Sequence, residues 1–236
     1  MPRYKVADVV YEVKPKYDYI LDISKKYEYN GNEKPCFTCV PTETEINSEI
    51  TPQVPVQVAE SLAVFRKLCE YEIDFMDGFV FHSSAVAVDG NAYLFTAPSG
   101  TGKSTHTRNW RRFLGDKVKM INDDKPIIRY RDGAFYVYGT PWNGKHRLGE
   151  NAFAKIKAIC ILTRGKENKI KEITPTQAIP TIINQTLRYM EEDRMIKLLD
   201  LIDKLCSKVK LYLLSCNMDV ESAKVAYEKM SGEKDI

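Results

Sequence analysis

Nowhere in this 236-residue chain do about eighteen apolar residues run together, the length a bilayer-spanning helix needs. The opening MPRYKVADVVYEVKPKY also lacks an apolar stretch of signal-peptide length. The expectation is a soluble, cytoplasmic protein with no membrane partner. Runs of five or six like charges are missing too, and 35 Lys and Arg against 32 Asp and Glu leave a net charge of +3. Neither a nucleic-acid arm nor a polyanion partner is expected from that balance. The mixed-charge GKENKIKE at 165–172 reads as solvated surface.

Cysteine is sparse. The six, at 36, 39, 69, 160, 206 and 216, fall short of disulfide-scaffold density, and a cytosolic compartment keeps them reduced. Cys36 and Cys39 form a CxxC with no second pair or histidine close in sequence to complete a tetrahedral zinc site. They read as incidental strand cysteines. Internal repeats and low-complexity segments are absent.

What is present is a 44% hydrophobic chain able to bury a core, read as one compact α/β body. Residues 1–78 make a β-rich module plus a helix, and 79–236 a core with C-terminal helices. The runs YKVADVVYEV and PCFTCV read as strands, and YNGNEKP and PTETEINSE as polar turns. Apolar residues at helical spacing over 56–77 (Val58, Leu62, Phe65, Leu68) predict a helix that stops before Gly78. Strands over 83–88 and 92–97 are joined by DGN, a hairpin turn. A glycine loop follows, then a helix with Trp110, Phe113 and Leu114 on its buried stripe, ended by Gly115.

Further on, KVKMI reads as a strand, NDD as a loop, and KPIIRYRDGAFYVYG as a second DG hairpin. GTPWNGKHRLG at 139–149 is too turn-rich for an element and too long for a tight turn, so it reads as a lid-like loop. IKAICILTR is a core strand. Thr174 before Pro175 starts a helix through TPTQAIPTIINQTLRYM that EEDRMIKLLDLIDKLCSKV continues, before a strand, VKLYLLSC, and a last helix from near Asp219.

The chemistry sits in APSGTGKST. A triphosphate cradle needs successive backbone N–H groups pointing inward, which Gly100 and Gly102 permit. Ser99, Gly100, Thr101, Gly102, Lys103, Ser104 and Thr105 form the expected nucleotide-binding set. The helix N-terminus favours anions, Lys103 can reach the β and γ phosphates, and the Ser104 hydroxyl can ligate Mg²⁺. Ala97 stands where the usual pattern has its first glycine, a departure of one methyl group that leaves the cradle intact.

Transfer of a γ-phosphoryl group also needs a second metal anchor and a proton acceptor. Asp123 and Asp124 follow the KVKMI strand, where a Walker B acid sits beside the loop in a doubly wound arrangement. One can bind Mg²⁺ while the other acts as base. His82 begins the hairpin that runs into the loop and is open to three roles: metal ligand, proton-transfer partner, or a satisfied strand-start histidine. His106, one turn before Trp110 on the same face, favours packing over catalysis. Arg108 reads as surface. Lys145 and Arg147 can close over a phosphate or remain solvated, and Trp142 can stack on a base or anchor its loop.

In order and spacing, His82, Ser99 through Ser104, and Asp123 with Asp124 resemble the HPr kinase/phosphorylase and phosphoenolpyruvate carboxykinase superfamily. HSSAVAVDG, APSGTGKSTHT, NDDKP and YGTPWNGK look most like the small HPr-kinase-like proteins of bacteria. The resemblance implies a single domain of that type with a P-loop-containing mixed sheet and flanking helices, binding ATP and Mg²⁺, or Mn²⁺ in its place. It implies proton transfer by Asp123 with His82, and a metal held by Asp124 and Ser104; in carboxykinases the histidine is a metal ligand instead. Thr105 departs from the HPr kinases, which carry Glu there, and matches the carboxykinases. The chain is too short for a carboxykinase substrate lobe.

The expected activity is phosphotransfer from ATP to a hydroxyl, on a serine of a small protein or peptide, with Lys103 and Lys145 among the catalytic groups. A small-molecule hydroxyl kinase and a non-catalytic nucleotide-binding regulator are the alternatives. Because HPr kinases are oligomers, the resemblance also makes a homo-oligomer a hypothesis.

Overall fold

The computed structural model describes residues 1–233. The chain opens with an antiparallel pair, β1 (Arg3–Val6) and β2 (Val9–Val13), turned at Ala7 and Asp8, which both take positive φ. After α1 (Tyr19–Ile23), β3 (Phe37–Cys39) adds parallel to β2. PTETEINSE, expected as a turn, contains a helix, α2 (Glu43–Glu49). Its signal is local: the Thr42 hydroxyl accepts from the Glu45 N–H while the Glu45 carboxylate accepts from the Thr42 N–H, a reciprocal cap that satisfies otherwise orphaned donors. The long α3 (Val56–Phe75) buries Val64, Phe65 and Leu68 in one cluster with the small sheet.

The main sheet begins with β4 (Gly78–Val80), β5 (Ser84–Val88) and β6 (Asn91–Thr96). Then come α4 (Lys103–Leu114), β7 (Val118–Asn122), β8 (Ile127–Arg131), β9 (Ala134–Tyr138), β10 (Phe153–Arg164) and β11 (Lys169–Glu172). Helices α5 (Pro175–Asn184) and α6 (Glu192–Lys208), strand β12 (Lys210–Cys216) and α7 (Glu221–Ser231) complete the chain. The strands form a nine-stranded sheet in the order β4-β8-β9-β10-β6-β5-β7, with β12 beside β10 and β11 beside β12. β6 and β12 run parallel to β10; the other pairings are antiparallel. The fold is a mixed sheet with flanking helices, as expected, but not a doubly wound one. β5 lies antiparallel between β6 and β7.

Successive residues of a strand point to opposite faces, and the central strands are apolar on both. Tyr93 and Phe95 of β6 join Trp110 of α4 and Tyr227 of α7, whereas Leu94 joins Ile182 of α5 and Leu201 and Leu205 of α6 on the other face. Trp110 meets Phe95 and Tyr227 edge-on, with ring centroids 5.1 and 5.5 Å away. Continuous burial of β6 and of residues 158–162 in β10 explains why these stretches read as apolar runs rather than as alternation.

One further expectation is corrected. Helix does not run from Pro175 through the EEDRMIK segment: it stops at Asn184, and residues 185–191 form an irregular link in which the Tyr189 hydroxyl donates to the Cys69 carbonyl at 3.0 Å. GKENKIKE lies at the surface, as expected, and its second half is the edge strand β11, mostly exposed and paired with β12 from Lys169↔Ser215 to Glu172↔Tyr212. Its lysines suit a sheet edge, where charge discourages further strand pairing.

Candidate functional site

The antiparallel insertion of β5 assembles the site. Register pairs Ser84 with Phe95 on β6 and Ala85 with Asn122 on β7. The residues just before β5, just after β6 and just after β7 therefore meet at one end of the sheet. Hydrogen bonds tie them: Thr96 Oγ1 donates to the His82 carbonyl at 3.0 Å, and the Ser83 N–H to the Asp124 carbonyl at 3.2 Å.

In the glycine loop, Gly100 and Gly102 adopt φ of 78° and 123°, which L side chains rarely tolerate. Ala97 is not among the positive-φ residues, and its methyl is buried in the cluster with Trp110, so no glycine is needed there. Lys103 opens α4 and donates from Nζ to the Ala97 carbonyl at 2.9 Å. Burial lowers the Lys103 pKa, with the charges of Asp124 and Asp123 pulling the other way.

A cavity of about 440 Å³ lies over this loop. Ser99, Gly100, Gly102, Lys103, Ser104 and Thr105 line it together with His82, Asp123, Asp124 and Lys145. Thr101 is absent from that lining and borders a neighbouring cavity. Asp123 is buried, and its Oδ1 accepts from Ser84 Oγ at 2.5 Å. Asp124 faces His82 Nε2 at 3.3 Å through Oδ1 and Lys125 Nζ at 2.8 Å through Oδ2. Burial pushes the Asp124 carboxyl up, but the His82 hydrogen bond and the Lys125 charge outweigh it and hold the group below its usual range. His82 Nδ1 in turn lies 3.0 Å from the Gln185 side-chain oxygen.

The 139–149 segment is irregular, as expected, and its open alternatives separate. Trp142 is buried against Phe65 of α3, centroids 4.5 Å apart, so it anchors the loop and offers no face to a base. Arg147 pairs with Asp22 of α1 at 2.5 Å and does not line the cavity, whereas Lys145 does. Gly144 takes φ of 79°, and a Cβ there would sit 3.4 Å from the Asp123 carbonyl. The loop backbone thus packs in ordinary contact against the aspartates. His106 is a packing residue. Its Nε2 accepts from Trp110 Nε1 at 3.1 Å, its Nδ1 lies 3.4 Å from Ser222 Oγ, and burial depresses its pKa to about 3.

Sequence reasoning missed Ser84 and Gln185, and it placed Gly144 and His146 in the loop without giving either a role at the cavity they line. Ser84 was visible only as part of HSSA, and the place of Gln185 depends on the unforeseen stop of α5. It also missed the neighbouring cavity of about 540 Å³ on the other side of the loop, bordered by Thr101, Thr105, Leu162, Arg164, Asn217 and Met218. Because β6, β10 and β12 are parallel, their carboxyl ends open onto one edge, where ligands of α/β sheets commonly bind. Arg164 Nη2 donates to the Gly100 carbonyl at 2.7 Å and so braces the loop from that side.

Among the described residues, no group of three or more His, Cys, Asp and Glu side chains is arranged to hold a metal alone. The oxygen donors Ser104 and Asp124 fit a hard cation that takes its remaining ligands from phosphate and water, which is the habit of Mg²⁺. Among the described residues, no helix is long and apolar enough to cross a membrane.

No protein-family model matches the chain, and no curated protein sequence matches it. Among solved structures, the HPr(Ser) kinase/phosphatase from Coxiella burnetii is similar over 65% of this chain and 93% of its own, with 10% sequence identity and a TM-score of 0.37. At that identity and overlap, the cavity's own geometry and not the likeness bears on function.

Proposed function

We propose that the protein is an ATP-dependent phosphotransferase that moves the γ-phosphoryl group to a hydroxyl, on a serine of a small protein or peptide. The observation that carries this reading is the shared cavity. Segments distant in sequence put a lysine, a hydroxyl, two carboxylates and a histidine around one space of about 440 Å³ at a helix N-terminus. A solvated NDD turn and an incidental glycine loop would not converge in this way.

In this reading the loop N–H groups and Lys103 hold the β and γ phosphates, their charge favoured by the N-terminal end of α4. The nucleoside extends into the cavity beside Arg164. Asp123 is the base. Its Oδ1 is held by Ser84, and its carboxylate takes the acceptor's proton. The acceptor oxygen bonds to the γ phosphorus as the bond from that phosphorus to the β–γ bridging oxygen breaks, and ADP leaves with the electron pair.

Ser104 and Asp124 would hold Mg²⁺, or Mn²⁺, which when bound neutralises charge on the phosphate oxygens. Lys125 is the Asp124 partner that would turn away to admit it, being partly exposed. His82 orients Asp124 and shares in proton transfer, and Lys145 approaches the phosphates from the loop.

The test is turnover of labelled ATP with Mg²⁺, with and without a cell lysate, alongside nucleotide affinity. Label on a discrete acceptor, lost in Lys103→Ala together with ATP affinity and in Asp123→Asn with affinity retained, is the expected outcome. Tight ATP binding with no Asp123-dependent transfer would make the protein a nucleotide-binding regulator.

A further inference from the structure

Beyond the phosphate cavity, on the side away from Arg164, lies a third space of about 410 Å³ between α4 and the 139–149 loop. It shares Ser104, Thr105, Asp123 and His146 with the phosphate cavity, so it opens directly onto the proposed base. Arg108, Arg111 and Leu148 form the rest of its wall. Ser104, Arg108 and Arg111 stand at i, i+4 and i+7 on α4 and so share one helix face.

Both arginines leave their charge without an acidic partner among the described residues, and both border this space. Among the described residues, arginine ion pairs are made by Arg66, Arg129, Arg131, Arg147 and Arg194, and neither Arg108 nor Arg111 takes part. Arg108 is exposed, whereas Arg111 is half-buried. Its Nε is shielded from solvent and has no hydrogen-bond partner among the described residues, which costs free energy; an acceptor in the space would meet the guanidinium at its Nη groups. A planar guanidinium is matched by a carboxylate or a phosphate.

We infer that this space is the acceptor subsite, and that it selects a hydroxyl carried a few bonds from a carboxylate or phosphate. The inference rests on the phosphotransferase reading for its direction. The hydroxyl lies at the Asp123 end and the anion at the arginines, about 6 to 10 Å further along α4 by the rise of the helix. The three cavities then follow one another along the loop as nucleoside, phosphate and acceptor sites.

The experiment has two readouts. The first is phosphoryl transfer to matched acceptors: serine peptides flanked by Asp and Glu against the same peptides flanked by Lys, and glycerol 3-phosphate against glycerol. The second is calorimetric binding of the acidic peptide and of glycerol 3-phosphate to protein saturated with Mg²⁺ and a non-hydrolysable ATP analogue. Wild type should prefer an anionic member by about tenfold or more in kcat/KM, the scale of one charge-assisted contact. Arg108→Gln/Arg111→Gln should abolish that preference and the anion binding while leaving ATP affinity unchanged.

Which anionic acceptor responds tells peptide from small molecule. Absence of anion binding, or transfer indifferent to charge and to the arginine substitutions, overturns the subsite and leaves the kinase reading standing. Arginine-dependent anion binding with no transfer to any acceptor supports an anion site and overturns the kinase reading instead.

Discussion

Ser84 Oγ donates to Asp123 Oδ1 at 2.5 Å, joining the first residue of β5 to the residue just past β7. Both side chains are buried, so the contact holds a carboxylate where few waters can replace the donor. Ser84→Ala should lower transfer about tenfold or more while leaving ATP affinity nearly unchanged, because the acceptor oxygen loses a donor that orients it. The orphaned carboxylate oxygen should also cost about 1–3 kcal/mol of stability. Single-turnover kinetics, nucleotide titration and urea unfolding of the variant separate these effects.

Gly144 makes a different kind of approach. Its φ of 79° is open to glycine and strained for alanine, and a Cβ would come within 3.4 Å of the Asp123 carbonyl. Gly144→Ala should therefore cost about 1–2 kcal/mol locally through the left-handed φ and shift the Lys145–His146 tip as the backbone relaxes, the 3.4 Å contact itself being ordinary packing. The expected signature is a fall in transfer with little change in the global melting temperature, since the tip is exposed.

The titration of Glu72 should lower stability as pH rises from the ordinary glutamate value towards about 8. Fully buried on α3, it is pushed up to about 8 by burial, with Arg129 opposing. The Arg129 contact, at 3.5 Å, supplies charge but no hydrogen bond, and both Glu72 oxygens lack a partner. Between the ordinary glutamate value and about 8, the native state keeps a proton that the unfolded chain releases. Stability from this group is full at low pH and declines as pH rises through that window. Glu72→Gln should flatten the decline in urea titrations from pH 5 to 9; an unchanged slope would show the carboxylate ionised in the fold.

His106 acts in the opposite direction. Burial takes it down to about 3, and its Nε2 must stay unprotonated to accept from Trp110. As pH falls from the ordinary histidine range towards 3, the unfolded chain gains a proton that the native state refuses, and stability falls. His106→Gln keeps an acceptor for Trp110 without a titrating ring. It should reduce the loss measured between pH 7 and 4.5.

Much of the fold was legible where the chemistry is local. The DGN turn between β5 and β6, the glycine loop with Gly115 closing α4, and the aspartates after an apolar strand are all short-range signals in register with the structure. The Thr42–Glu45 cap of α2 was equally local and was passed over among polar residues. The gap at 185–191 was not local. Its helical spacing continues in the sequence, but Gln185 turns to His82 and Tyr189 to Cys69, contacts that outweigh a weak helical preference.

Residue types and spacing alone determined that a lysine and a serine would stand at a helix N-terminus behind a glycine turn, because those features depend on neighbours a few residues away. Strand register decided what faces them. Ser84 reaches Asp123 across 39 positions and His82 reaches Gln185 across 103; the antiparallel placement of β5 between β6 and β7 makes the first contact, and the end of α5 at Asn184 the second. The same holds for Trp142, turned into the core by α3, and for the unpaired Arg108 and Arg111. Whether a cation is solvated or lines a cavity depends on what the tertiary fold sets opposite it, and no spacing along the chain encodes that.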